Sequence, residues 1–156
     1  MIICGTGHRP DKLGGYGIDA HNRLVQLAVD YMILSGPQRV ISGMALGWDQ
    51  ALAEAAIMLQ IPFTAAVPFA GQECAWPMES QRYYHHLIAQ ADCVVQVCEP
   101  GYAPWKMQKR NEWMVDVSMR VCALWNGTQG GTANCVRYAE QCGRPIDNLW
   151  PQYQLY

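Results

Sequence analysis

The sequence predicts an α/β fold: a doubly wound, mostly parallel sheet of five or more strands with helices on both faces, forming one domain over residues 1–156. Three observations predict it. Short apolar runs alternate with longer amphipathic ones, the order that gives parallel strands joined by helices. The loops after the first, second and fifth apolar runs are rich in glycine, as expected where strand ends meet a site. The length suffices for one full core and rarely two, and a 51% hydrophobic composition excludes a disordered chain.

The elements follow in order. Met1 to Thr6 reads as a strand cut off by Gly5-Thr6-Gly7, and Gly14-Gly15-Tyr16-Gly17 as a loop. Asp19 to about Leu34 reads as a helix, because Leu24, Leu27, Ala28, Tyr31 and Met32 recur at helical spacing before Ser35-Gly36-Pro37. Arg39–Ser42 is the second strand and Trp48–Leu59 an alanine-rich helix. Phe63–Pro68 is the third strand, and Pro77–Gln90 a helix with proline in its first turn. Asp92–Cys98 is almost continuous in Val and Cys, which places it in the centre of a parallel sheet with its thiols buried. Trp105–Ser118 is a helix, Arg120–Trp125 the fifth strand, Asn126–Thr132 a glycine loop and Ala133–Cys142 the last helix. A short segment begins at Ile146, and the aromatic tail 148–156 is expected to pack back.

Eleven basic against thirteen acidic side chains give 11 − 13 = −2, which excludes a polybasic binder that relies on bulk charge. Seven cysteines contain no Cys-x-x-Cys pair, so neither a zinc knuckle nor a thioredoxin-type centre is signalled; free thiols in a reducing cytoplasm are expected. The start carries no basic region followed by an apolar one. No apolar stretch reaches the roughly 20 residues of a bilayer span, so no membrane association is expected.

Four segments could carry chemistry. Gly5-Thr6-Gly7-His8-Arg9-Pro10 offers exposed amides and a forked arginine donor to an anion. It lacks the third glycine of a dinucleotide fingerprint, and Pro10 interrupts it. His8 by itself reads as a loop residue that forms hydrogen bonds. Ser42-Gly43-Met44-Ala45-Leu46-Gly47 leads to Asp49, which complements a helix dipole or meets a ribose hydroxyl. Asn126-Gly127-Thr128-Gln129-Gly130-Gly131-Thr132 suits an anion cradle at a helix start. It lacks the Gly-Lys-Ser/Thr ending of a nucleotide-hydrolysing P-loop. Lys106, Lys109 and Arg110 oppose the dipole at the start of their helix, a hint of anion binding in which Arg110 and Asn111 are the favoured residues. In the loop after the third strand, Glu73 or, further on, Glu79 could reach the same cleft. Trp76 fits either the core or a stacked base. No metal site is signalled; Mg²⁺ would accompany only a polyphosphate.

The stretches GTGHRPDKLGGY, ISGMALGWDQALAEAA, PFAGQECAWP, KRNEWMVDVS and WNGTQGGTANCVRYAEQCGRPI together resemble the SLOG superfamily, the small Rossmann-like domains named from the Smf/DprA and LOG proteins. Within it the likeness is to the YpsA-like branch found in bacteria and their phages. The resemblance covers nearly the whole chain and implies a nucleotide or nucleotide-derived ligand over the strand ends. Thr6, Gly7, His8, Arg9, Gly43, Asp49, Arg110, Asn111, Gly130, Gly131 and Thr132 would line its cleft. The phosphate would sit on Gly130-Gly131-Thr132, and a base near Trp76 or Tyr16.

LOG enzymes hydrolyse the N-glycosidic bond of nucleoside monophosphates with an arginine and a glutamate that follows the glycine loop. Here Ala133, Asn134 and Cys135 follow it, and asparagine is neither acid nor base. As an enzyme, the chain would have to use Arg110 with Asp49, Glu73 or Glu79. The likeness to DprA allows single-stranded nucleic acid as an alternative partner, through Lys106, Lys109, Arg110, Trp105 and Trp113. Six tryptophans and eight tyrosines exceed the needs of one modest core, so a homodimer is expected.

Overall fold

The computed structural model describes residues 1–156. Six parallel strands form one sheet: β1 (Ile2–Gly7), β2 (Arg39–Ser42), β3 (Phe63–Val67), β4 (Cys93–Gln96), β5 (Arg120–Leu124) and β6 (Ile146–Asn148), in the order β4-β3-β2-β1-β5-β6. The helices are α1 (Ile18–Ser35), α2 (Trp48–Met58), α3 (Met78–Ile88), α4 (Pro104–Asp116), α5 (Gly131–Gln141) and the short α6 (Trp150–Tyr153). The doubly wound fold expected from the alternation is therefore the fold observed, with a sixth strand at Ile146.

Strand periodicity divides the core in two. Ile3 belongs to the larger cluster with Leu24, Leu27, Ala28, Trp48, Leu52, Phe63 and Leu87 of α1, α2, β3 and α3. Its neighbour Cys4 belongs to the smaller cluster with Met114, Val115, Cys135 and Ala139 of α4 and α5. Successive side chains point to opposite faces, so one strand serves both helix layers. On α2 the residues Ala51, Leu52, Ala53, Ala55 and Ala56 are all fully buried. Small side chains let this helix approach β1 so closely that a Cβ at Gly7 would lie 2.5 Å from the Trp48 ring. The glycines of β1 thus have a packing reason beside any ligand role. At its other end, α1 stops where Gly36 turns left-handed at φ 60° and donates its N–H to Met32 O.

One expectation is corrected. The Val/Cys-rich fourth strand is not central but lies at the edge of the sheet. Val94 is 50% exposed, Cys93 is exposed and Cys98 is half-buried. The cause is topological. Strands β1 to β4 are laid down outward in one direction, and the chain then returns to place β5 beside β1. Nothing pairs with the outer edge of β4, a circumstance that a run of apolar residues does not reveal. The helix expected from Ala133 begins two residues earlier, as α5 at Gly131 with Gly130 as its N-cap, and the short α6 follows it. The tail does pack back: Leu149 is buried, and Trp150 and Tyr153 lie against the larger core.

The return crossing fixes the position of the site. The connections leaving β1 and β5 run to opposite faces of the sheet, and a crevice opens between them at the strand ends.

Candidate functional site

The crevice is a cavity of about 310 Å³. Its walls are Thr6–Arg9 at the end of β1 with Asp11 and Lys12 beyond it, Ala45 before α2 and Asp49 in its first turn, Met107, Arg110 and Asn111 on α4, and 128–132 leading into α5. Of the residues expected in the cleft, Thr6, Gly7, His8, Arg9, Asp49, Arg110, Asn111, Gly130, Gly131 and Thr132 all line this one space. Asp11 and Lys12 were not anticipated, whereas Thr128 belongs to the expected glycine loop. The first two stand on the 3-10 turn Pro10–Lys12, whose position over the cavity no local pattern announces.

The anion-facing wall starts with α5. Its N-cap, Gly130, sits at φ 143° with no side-chain cap, so the amides of the first turn are unpaired until Asn134 N donates to Gly130 O. Unpaired amides at a helix start carry the positive end of its dipole. A Cβ at Gly130 or Gly131 would meet nothing within 4 Å, so the loop faces open space. Arg9 stands exposed at the opposite rim. Lys12 Nζ donates to Thr128 Oγ1 at 3.1 Å and ties the two lips together.

His8 is buried. Its Nε2 lies 2.8 Å from Asn126 Oδ1, which joins the loops after β1 and β5. Burial pushes its pKa below the ordinary value and the Asn126 bond opposes the shift, so the ring is neutral at pH 7.

The floor is a buried acid and a buried base. Arg110 is 4% exposed; its Nη1 donates to Gly43 O at 2.6 Å and Ala66 O at 3.4 Å, and its Nε to Asn111 Oδ1 at 2.8 Å. These bonds leave Nη2 of Arg110 and Nδ2 of Asn111 without protein partners. Gly43 therefore supports the site from behind: its carbonyl holds Arg110, and a Cβ there would come within 2.7 Å of that guanidinium. Asp49 Oδ2 accepts from Ala45 N at 3.4 Å, while its backbone carbonyl accepts from Ser42 Oγ at 2.6 Å. Burial pushes the Asp49 carboxyl up to about 6, against the opposing charges of Arg110 and Arg9 and the Ala45 N–H. Burial lowers Arg110 in turn, and Asp49 opposes that shift.

Other expected residues lie elsewhere. Glu73 is buried, 3.3 Å from His85 Nε2, and Glu79 is exposed on α3; neither lines the crevice. Lys106 turns inward instead of joining a basic face, donating to the carbonyls of Glu99, Pro100 and Gly101 at 2.9, 3.1 and 2.7 Å. Trp76 packs half-buried against the larger core, edge-on to Tyr84. Tyr16 lines a different cavity. No group of three or more His, Cys, Asp or Glu side chains is placed to hold a metal ion. No helix is long and apolar enough to cross a membrane.

Such a crevice at the switch point of a parallel sheet, with an uncapped helix start on one wall, defines the chain as a Rossmann-like domain with a candidate anion cleft. The chain belongs to the YspA SLOG family, which it matches over residues 3–144. It is 31% identical over 152 residues to the uncharacterized SPbeta prophage-derived protein YoqJ of Bacillus subtilis (strain 168), covering 86% of this chain and 89% of that protein. A UPF0398 protein of Bacillus thuringiensis (strain Al Hakam) is 22% identical over 166 residues, covering 99% and 90% respectively.

Among solved structures the fold is similar to that of DNA processing protein A (DprA) from Streptococcus pneumoniae, with a TM-score of 0.67 and 18% identity. It is also similar to Helicobacter pylori DprA, described for its single-stranded DNA binding mode, with a TM-score of 0.65 and 18% identity. These matches cover 92% and 94% of this chain but only 48% and 63% of the two DprA chains. The molybdenum cofactor carrier protein of Chlamydomonas reinhardtii matches 99% of this chain and 80% of its own, with a TM-score of 0.61 and 16% identity.

Proposed function

We propose that the crevice binds a nucleotide or nucleotide-derived small molecule. The observation that carries this reading is convergence: the uncapped start of α5, Arg9 and the free Nη2 of Arg110 all belong to one cavity. A phosphate meets the amides of Gly131, Thr132 and Ala133, and Asp49 with the Asn111 amide serves a sugar hydroxyl. Two proteins of similar fold, a single-stranded DNA binder and a molybdenum cofactor carrier, agree with a phosphate-bearing ligand on this fold. Calorimetry with nucleoside mono- and diphosphates tests it: Arg9→Ala and Gly131→Asp each weaken binding, and unchanged affinity in both overturns the cradle.

A second reading, hydrolysis of a nucleotide N-glycosidic bond, is favoured by one observation. Asp49 lies in the crevice with its carboxyl raised to about 6, in the range where a carboxyl serves as acid or base near neutrality. Glu73 and Glu79 have no part in it. Release of free base from a monophosphate, abolished in Asp49→Asn, supports this reading; no release by the native protein removes it.

Single-stranded nucleic acid is the weaker alternative, because Lys106 is spent on loop carbonyls and does not extend a basic track. A homodimer, expected from the tryptophan- and tyrosine-rich composition, is tested directly by light scattering. Seven unpaired cysteines support a reducing compartment such as the cytoplasm.

A further inference from the structure

A second cavity, of about 390 Å³, opens between the starts of α1 and α2 and the first half of α3. It is separate from the crevice. The ridge between them is the loop after β1 pressed on the loop before α2: the Cβ position of Gly47 lies 2.6 Å from His8 O and 3.1 Å from Pro10 Cδ. Its chemistry is also the opposite. The crevice is walled by Arg9, Lys12 and Arg110, whereas no lysine or arginine lines the second cavity and Glu79 stands on its wall.

Two features mark it as a built site. Gln50 lines it while only 3% exposed; its Nε2 donates to Met44 O at 3.3 Å, and its Oε1 receives no hydrogen bond from the protein. That oxygen is not sealed inside the protein, so it is open to a donor within the cavity. The second feature is a network formed by His21 on α1, Glu54 on α2 and Tyr83 on α3. His21 Nε2 lies 2.6 Å from Glu54 Oε2 and 3.0 Å from Tyr83 Oη, and the Tyr83 hydroxyl donates to the same carboxylate oxygen. The shared carboxylate holds His21 through Nε2 and leaves Nδ1 without a protein partner. The cavity therefore offers two acceptors, Gln50 Oε1 and the Glu79 carboxylate, beside the His21 ring and the aromatic side chains of Tyr16 and Tyr83. Asp19 in the first turn of α1 offsets the helix dipole that would otherwise favour an anion.

We propose that this cavity is a second binding site, for a planar nitrogen heterocycle that carries amino-type N–H donors and no phosphate. Its volume lies near the lower end of the roughly 300–1,000 Å³ common for small-molecule sites, enough for a single ring system with a small substituent. Acceptor groups without a cation select a neutral or protonated ring and turn away the phosphate-bearing ligands of the crevice.

The test uses free adenine as probe, titrated by ligand-observed NMR into the native protein and two variants. Ile18→Lys places a cation on the cavity wall at a position 69% exposed, where the fold tolerates it. Tyr16→Ser removes an aromatic wall that is 68% exposed. Saturable adenine binding that weakens by about tenfold in Ile18→Lys, roughly one buried hydrogen bond's worth, with a smaller loss in Tyr16→Ser and none in Arg9→Ala, supports the site. Absence of saturable adenine binding at millimolar probe overturns it. So does binding lost in Arg9→Ala and retained in both cavity variants, because the base would then occupy the crevice.

Discussion

Replacing Asp49 by asparagine should make the protein more stable at neutral pH. Asp49 is 7% exposed, and burial lifts its carboxyl from the ordinary 3.8 to about 6 despite the nearby charge of Arg110. The native state thus takes up this proton more readily than the unfolded chain does. The stabilisation that protonation provides is complete below about 3.8 and lost as pH rises through about 6. A shift of this size corresponds to about 3 kcal/mol between the acidic and neutral limits. Asparagine has the shape of the neutral acid, and its Oδ1 can still accept from Ala45 N.

Urea unfolding of the variant at pH 7.5 should therefore show a gain of about 1–3 kcal/mol, and the native protein's fall in stability between about pH 4 and 6 should flatten. The lower figure allows for the charge of Arg110, which loses its counter-ion. A variant less stable than the native protein by more than about 1 kcal/mol at pH 7.5 would refute the reasoning, since the Asp49–Arg110 attraction would then outweigh the burial of the acid. A carboxylate that weakens its own fold is an expected mark of a site kept for binding or catalysis.

Three further outcomes follow from the geometry. Gly47→Ala should cost about 2 kcal/mol or more in denaturant unfolding, because Gly47 holds φ 93° and its Cβ would press on the backbone of His8 and Arg9. Gly7→Ala should destabilise by about 1–3 kcal/mol, since the new methyl would strike the fully buried Trp48; a neutral result would show that α2 can move away from β1. Lys106→Met should raise hydrogen exchange across residues 99–101, whose carbonyls the ammonium now holds, while nucleotide affinity stays within about twofold.

The order of strands and helices was legible because each element carries its own period and its own stop, such as the left-handed Gly36 after α1. The contributors to the crevice were legible for the same reason: residues placed just after β1 and β5 and at the start of α2 must come to the strand ends of a parallel sheet. What the sequence concealed depends on which strand lies beside which. Val94 and Val95 look the same whether β4 is central or at the edge, and only the return of the chain to β1 decides the matter. Glu73 and Asp49 were both candidates for a catalytic carboxylate, and only Asp49 was also placed in the cleft. The first turns to His85 and the second lines the crevice, a difference set by the path of the loop after β3. Gly7 carried a ligand-approach signal that the close packing of Trp48 shares. The His21–Glu54–Tyr83 network joins three helices, and its members show no common spacing along the chain.

The most direct test of the nucleotide reading is calorimetric titration of nucleoside mono- and diphosphates into native protein and into Gly131→Asp. This substitution puts a carboxylate at the first residue of α5, where a Cβ meets open space and the fold is undisturbed. The reading requires saturable binding by the native protein and a loss of at least about tenfold in the variant, from charge repulsion at the helix start. Equal affinity in the two proteins, or no heat from any phosphate-bearing nucleotide with the native one, would contradict it.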